Sequence, residues 1–282
     1  PPGGSADVLA RTIGDKVGKA LGQSVVVENK PGAGGIPGAS AVATAPADGH
    51  TLLFANTNIA INPTLYKKLP YDTATTFAPV VLMVQVPNLI LVPADLGVSS
   101  IQELIALAKS RPGRLNYASA GNGTLPHITM ALLLQKLNLQ LTHIPYKGAA
   151  PALNDVLAGT VAVKFDTIAT SAGHVRAGRI KPLAIASLKR SPLMPEVPTI
   201  DESGLPGYQG ILWMGVLAPA GTPRDVVDTL HRGLRQVLTD PAIVKRFEAD
   251  GVEVVGSSPA EFQRLIDTEL KQWAEVVKRA HI

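Results

Sequence analysis

The sequence predicts an α/β fold of parallel strands joined by crossover helices, and three observations carry that prediction. Short β-branched or apolar runs alternate with helical patterns over most of the 282 residues. Capping signals fall at the starts of several helical patterns. Glycine and proline, at 26 and 23 residues, sit between the periodic segments instead of clustering as they do in low-complexity chains.

In chain order, Pro1-Pro2-Gly3-Gly4-Ser5-Ala6-Asp7 opens a helix whose apolar face runs through Val8, Leu9, Ile13 and Val17. Strands are expected at Ser24 to Asn29, Thr51 to Asn56, Ala78 to Val86, Leu89 to Pro93 and Leu115 to Ser119. Further strands follow at Leu141 to Pro145, Val161 to Asp166, Lys181 to Ser187, Gly210 to Ala218 and Val252 to Val255. Ser100-x-x-Glu103 and Ser258-x-x-Glu261 are capping boxes, and Thr222 before Pro223 sets a cap residue ahead of a proline at the first helical position. The last helix, from about Pro259 to Ala280, carries Phe262, Ile266, Leu270, Trp273 and Val277 on one stripe. Trp273 is therefore expected in a core and not against a ligand.

A chain of this length holds one large domain or two, at roughly 100 to 200 residues per domain. The stretch from Lys189 to Gly207 is rich in Pro and Gly with little period, and reads as a long ordered connection. The apolar strand region is also interrupted at Val86-Pro87-Asn88. Crossings near residues 90 and 210 give a discontinuous first lobe, 1–90 plus 212–282, and a second lobe, 91–211.

Composition excludes several chemistries. With no Cys there are no disulfides, Cys-ligated zinc, iron–sulfur clusters or thiol catalysis. The charge balance of 26 basic against 22 acidic residues is too small and dispersed for a nucleic-acid surface, so no nucleic-acid partner is expected. No apolar run reaches about 18 residues, so no transmembrane helix is expected. The opening lacks a Met, a charged segment and an apolar segment, so no signal peptide is expected within the chain, which is read as beginning inside a longer protein.

The strongest local signal is Tyr117-Ala118-Ser119-Ala120-Gly121-Asn122-Gly123-Thr124-Leu125-Pro126-His127, a strand that runs through small residues into a helix. Gly121 and Gly123 let a ligand approach the backbone, the helix start favours anions, and Thr124 adds a hydroxyl. The competing reading is a plain turn between strand and helix. Residues 1–7 form a second such start, and two helix starts facing one cleft would hold a dicarboxylate or a carboxylate with a polar tail. Asp166 ends an apolar strand, where it either receives an ammonium or a water, or caps the turn Thr167 to Ser171. Tyr146-Lys147-Gly148 follows another strand, with Lys147 read as solvated more readily than as a carboxylate contact. Phe54-Ala55-Asn56-Thr57-Asn58 ends a strand in three polar groups. Among six His residues only His127, in a first helical turn, is kept as a ligand contact, and packing at the helix start is the competing reading.

Enzyme signatures are missing. Gly32-Ala33-Gly34-Gly35-Ile36-Pro37-Gly38 has Pro37 where the dinucleotide fingerprint needs its third glycine, and no Walker-type Gly-Lys-Ser/Thr occurs. Ser119 lacks the nucleophile-elbow pattern, and no two His residues have zinc-ligand spacing. No catalytic residue, metal site or cofactor is expected.

Several motifs then stand in order along the whole chain: Pro-Pro-Gly-Gly-Ser at 1–5, Glu28-Asn29-Lys30-Pro31-Gly32-Ala33-Gly34-Gly35, Pro70-Tyr71-Asp72 and Asn116 to Gly123. They continue through Pro145-Tyr146-Lys147-Gly148, Phe165-Asp166, Lys189-Arg190-Ser191-Pro192, Val197-Pro198-Thr199 and Ala218 to Pro223. In these the chain resembles the Bug-type receptors, the extracytoplasmic solute-binding proteins of tripartite tricarboxylate transporters.

The resemblance implies a two-lobed periplasmic-binding-protein (Venus flytrap) fold, each lobe a mixed sheet flanked by helices, with an interlobe cleft that binds a small carboxylate. That carboxylate is an amino acid, a di- or tricarboxylate or an aromatic acid, held more by backbone amides and water than by arginine. The resemblance also implies a periplasmic location, transient delivery to the permease subunits of a membrane transporter, and action as a monomer. Ligand contacts are expected at Pro2, Gly3, Gly4, Ser5, Asn56 and Asn58 in the first lobe. In the second lobe they are expected at Ala120, Gly121, Asn122, Gly123, Thr124, His127, Tyr146, Asp166 and Thr167.

Three features depart from the family pattern. The strand that normally precedes the first Pro-Gly loop is not in the sequence, Pro37 replaces the usual Asn-x-Gly continuation, and Lys164 stands where an apolar strand residue is common. An inward Lys164 needs a partner. Two other classes stay open: an effector-sensing module of a transcription regulator, and a cofactor-independent enzyme with Asp166 as base.

Overall fold

The computed structural model describes residues 5–280. In chain order the first elements are α1 (Ser5–Leu21), α2 (Ile36–Ala43), β1 (Leu53–Asn56), α3 (Asn58–Leu65), β2 (Phe77–Pro93), α4 (Ile101–Ser110), β3 (Asn116–Ser119), α5 (Leu125–Leu137) and β4 (Thr142–Pro145). They continue with α6 (Ala149–Leu157), β5 (Val163–Thr167), α7 (Ile168–Arg176), β6 (Ile180–Ile185), β7 (Ile211–Pro219), α8 (Arg224–Leu238), α9 (Pro241–Ala249), β8 (Glu253–Val254) and α10 (Pro259–Ala280).

The chain divides into two compact units. The first contains the described residues up to Gln85 with Trp213–Glu248 and Glu253–Val277, and the second contains Val86–Leu212 and Ala249–Val252 with residues 278–280.

In the first unit, β1 pairs antiparallel with β7 from Leu53↔Leu217 to Asn56↔Met214, and β8 pairs antiparallel with β2 at Val84 and Gln85. Its core joins Ala39 and Val42 of α2, Ile59 of α3, Leu82, Trp213 and Leu217 of the strands, and Phe262 and Ile266 of α10. Gly215 is required on β7, because a Cβ there would meet Phe262 Cζ at 2.5 Å and Val81 O at 2.8 Å. Trp273 is 3% exposed, as its place on the apolar stripe of α10 predicts.

In the second unit, β3 pairs parallel with both β4 and β5, while β2 pairs antiparallel with β5 and β6. The parallel pairs join strands that α5 and α6 connect, and with the antiparallel β2 they make the mixed sheet flanked by helices that the family resemblance implies. Strand alternation sends Ile90, Val92, Val163 and Phe165 to one face, under α4 and α5, and Leu89, Leu91 and Ala118 to the other, under α6.

Three local expectations are corrected. Residues 24–29 form no strand: they lie along α1, where a Cβ at Gly14 would approach Val25 Cγ1 to 3.1 Å, and Val26 stays 87% exposed. The apolar region is one strand, β2, and not two. Pro87 removes a ladder donor, and Asn88 compensates, since its backbone N and Nδ2 both donate to Gly210 O at 3.3 and 2.8 Å. Thr222 does not cap α8; its Oγ1 donates to Pro219 O at 2.8 Å, and Pro223 takes the cap position. The two capping boxes form as the sequence predicts, with Glu103 N donating to Ser100 Oγ and Ser258 N to Glu261 Oε2. Residues 189–207 carry no helix or strand beyond an isolated bridge between Ile185 and Thr199. Among the described residues, no helix is long and apolar enough to cross a membrane.

Candidate functional site

In the second unit the turn from β3 to α5 is built by side chains as much as by backbone. Ser119, fully buried at the end of β3, accepts from Gly121 N at 3.1 Å and lies 2.7 Å from His143 Nε2. His127, in the first turn of α5, uses Nδ1 to accept from Gly123 N at 3.1 Å. Thr124 Oγ1 donates to Gly121 O at 2.7 Å. Gly121 has φ 135°, and a Cβ there would meet Tyr146 O at 3.2 Å, so glycine is required by conformation and by space.

The rings of Tyr117, His143 and His127 stack beneath this turn, with centroids 4.8 Å apart between Tyr117 and His143 and 4.0 Å between the two imidazoles. Burial, with the neighbouring His127, pulls His143 down to about 4, and burial also lowers His127. Both imidazoles are therefore neutral near pH 7. Burial likewise pushes the Tyr117 hydroxyl up to about 12.

These bonds reduce the number of amides that the helix start offers to a ligand. Pro126 has no N–H, His127 N is donated to Thr124 O, and Gly121 and Gly123 are taken by Ser119 and His127. Among the described residues, the amides of Asn122 and Leu125 have no protein partner; Asn122 is exposed, and Leu125 is 1% exposed. No Lys or Arg stands in residues 119–127. An anion here meets neutral donors and the positive end of the α5 dipole.

The β3–β5 ladder runs from Tyr117↔Val163 and Ala118↔Lys164 toward Ala120 and Asp166, so Asp166, the last residue but one of β5, stands beside that turn. Its carboxylate is 4% exposed: Oδ1 accepts from Thr167 N at 2.9 Å and Thr170 Oγ1 at 2.7 Å, while Oδ2 makes an ion pair with Lys164 Nζ at 2.5 Å and has no partner of regular hydrogen-bond geometry. Lys164, 1% exposed, also donates to Phe165 O at 3.2 Å. It has the partner that an inward lysine needs, two residues along on the same strand face. Burial lowers the Lys164 ammonium and the Asp166 carboxylate partly offsets it. Thr167 is the N-cap of α7, with its hydroxyl 2.9 Å from Thr170 Oγ1.

Tyr146 meets the turn through its backbone, whose N donates to Ser119 O at 3.1 Å. Its phenol turns away to donate to Asp155 of α6, and burial together with that carboxylate raises it to about 12. Lys147 is exposed.

In the first unit Pro2, Gly3 and Gly4 lie outside the described residues, and Ser5 is the first residue of α1. Asp7, in the first turn of α1, accepts from Arg11 Nε at 2.9 Å and from Asn29 Nδ2 at 2.8 Å, which ties the Glu28-to-Gly35 motif to the helix start. Asn56 Oδ1 accepts from Asn58 N at 3.0 Å, closing the turn from β1 into α3, and the buried Thr57 accepts from Trp213 N at 3.1 Å. Asn58 is buried beside Gly34, while Asn62, 1% exposed, donates to Gly34 O and Tyr71 Oη and keeps its own Oδ1 without a partner.

The structure thus gathers Ala120 to Thr124, His127, the Tyr146 backbone, Asp166 and Thr167 in one unit, and Asn56 and Asn58 in the other. Sequence reasoning missed His143 and Ser119 as supports of the turn, and Thr170 and Asn62. Among the described residues, no three His, Asp or Glu side chains are placed to hold a metal ion.

Comparison with known proteins adds a family. The family described as "Tripartite tricarboxylate transporter family receptor" matches residues 9–282. Protein BugT of Bordetella pertussis is 36% identical over 99% of this chain and 86% of its own length. The structure of Rpa4515 from R. palustris with adipate superposes with a TM-score of 0.92 at 37% identity, covering 100% of this chain and 95% of the other. MatC (Rpa3494) from Rhodopseudomonas palustris with bound malate gives 0.87 at 33% identity, over 98% and 96%.

Proposed function

This chain belongs to the tripartite tricarboxylate transporter receptor family, and we propose on that premise that it captures a small dicarboxylate outside the cytoplasm and passes it to a membrane permease. The observation that carries this reading is the β3–α5 turn. It is pinned by Ser119, His127 and Thr124, leaves the Asn122 and Leu125 amides to a ligand, and contains no fixed cation. A carboxylate suits such a seat, because its two oxygens accept neutral hydrogen bonds and the helix dipole favours its charge. The structures of Rpa4515 and MatC hold adipate and malate, both dicarboxylates, which supports the same cargo class here.

The reading is one of binding and not of catalysis. Ser119 and His143 have the spacing of a nucleophile and its base, yet Ser119 is fully buried and its hydroxyl is spent on Gly121. Asp166 is no free base, since it is buried, its charge is paired with Lys164, and Thr167 and Thr170 donate to Oδ1. The test is a thermal-shift screen of unfolded and refolded protein, which removes carried-over cargo, against mono-, di- and tricarboxylates, amino acids and aromatic acids. A ligand at 100 times its Kd adds about 2.7 kcal/mol, so one acid class should raise the midpoint by several degrees. A flat response in a cooperatively folded sample would defeat the proposal.

A further inference from the structure

The buried pair Lys164–Asp166 has a consequence for which acids the second unit accepts. Asp166, near the end of β5 and beside a turn of neutral donors, is the carboxylate that could offer a ligand ammonium a full negative charge. Here Lys164 already holds it, at 2.5 Å, with both residues under 5% exposed on the face covered by α6. The other oxygen accepts from Thr167 N and from Oγ1 of the exposed Thr170. An incoming ammonium would therefore lose its water, find no uncompensated negative charge, and meet a like charge on Lys164.

We infer that the Lys164–Asp166 pair makes this receptor select carboxylates that carry no ammonium group, and that Lys164 is the positioning residue that decides it by occupying Asp166. The inference rests on the carboxylate-receptor reading and narrows it: dicarboxylates and hydroxy acids are cargo, while amino acids are excluded. Discrimination arises from an unpaired charge imposed on the wrong ligand as much as from contacts to the right one.

The test is isothermal titration of refolded protein with matched acids, adipate against 2-aminoadipate and succinate against aspartate. Wild type should bind one of the plain acids at least tenfold more tightly than its amino counterpart. In Lys164→Met, Asp166 is freed and the amino acid supplies the missing cation, so the ratio should move at least tenfold toward the amino partner. Lys164→Met/Asp166→Asn removes both charges, guards against loss of folding in the single variant, and should bind the plain acid without gaining the amino acid. Equal or tighter binding of the amino acid by wild type overturns the inference, as does a ratio unchanged in Lys164→Met or a gain of amino-acid binding in the double variant. An absence of heat with every acid overturns the receptor reading itself, and the two failures are told apart by whether the plain acids bind.

Discussion

Replacing His143 with Gln should convert an acid-sensitive protein into a less sensitive one. His143 sits between Tyr117 and His127, 4.0 Å from the second imidazole, and its folded value is about 4 against an ordinary 6.5. A histidine with a depressed folded value binds fewer protons than its unfolded form between those limits, so the stability it contributes is intact above about pH 6.5 and is lost as pH falls toward 4. At about 1.36 kcal/mol per pH unit the full difference is about 3 kcal/mol, and solvent at the half-buried ring brings it to about 2 kcal/mol. For a chain of this size that is about 4 °C in midpoint. Gln keeps a partner for Ser119 Oγ and does not titrate. Thermal denaturation of both proteins from pH 8 to pH 4 should show the difference between them moving by about 4 °C in favour of His143→Gln at the acid end. Carboxylates elsewhere titrate equally in both and cancel. A difference that stays flat across that range would refute the argument that the stacked imidazoles are held neutral by the fold.

Glu269 should respond in the opposite direction. Its Oε2 accepts from Trp213 Nε1 at 2.8 Å and Trp273 Nε1 at 3.2 Å, and burial raises it to about 7. A carboxyl with a raised folded value loses stability as pH climbs from about 4.5 to about 7, so Glu269→Gln should stabilise at pH 8 by about 2 to 3 kcal/mol and not at pH 4.5, read by denaturant titration followed through tryptophan fluorescence. Gly121→Ala tests the turn: with φ 135° and Tyr146 O 3.2 Å away, a methyl must displace the loop. Titration calorimetry should show acid binding weakened at least tenfold, about 1.4 kcal/mol, while the far-ultraviolet circular dichroism stays that of the wild type.

Much of this was legible in the sequence because it depends on local rules. The capping boxes at Ser100 and Ser258, the apolar stripe of α10 and the glycine-rich turn after Tyr117 each follow from spacing alone. The anomaly of Lys164 was legible too, and so was its partner in principle, since residues two apart on a strand share a face. What spacing does not supply is register between distant segments. His143 becomes a support of the turn only because β4 pairs with β3 at Tyr117↔His143, and Glu269 acquires its buried environment from Trp213, far back in the chain. The break expected at Pro87 vanished for the same reason: Asn88 finds Gly210, and one strand continues where two were predicted. Thr222 had the composition of a cap, but its hydroxyl finds Pro219 O first.

The central claim is that a carboxylate sits on the neutral donors of the β3–α5 turn, and amide-resolved nuclear magnetic resonance tests it most directly. Refolded, nitrogen-15-labelled protein titrated with adipate or malate should show saturable shifts centred on the Asn122 and Leu125 amides, with Gly121 and Gly123 following because Ser119 and His127 hold them to the same turn. Saturable binding that leaves Asn122 and Leu125 unmoved would contradict the account.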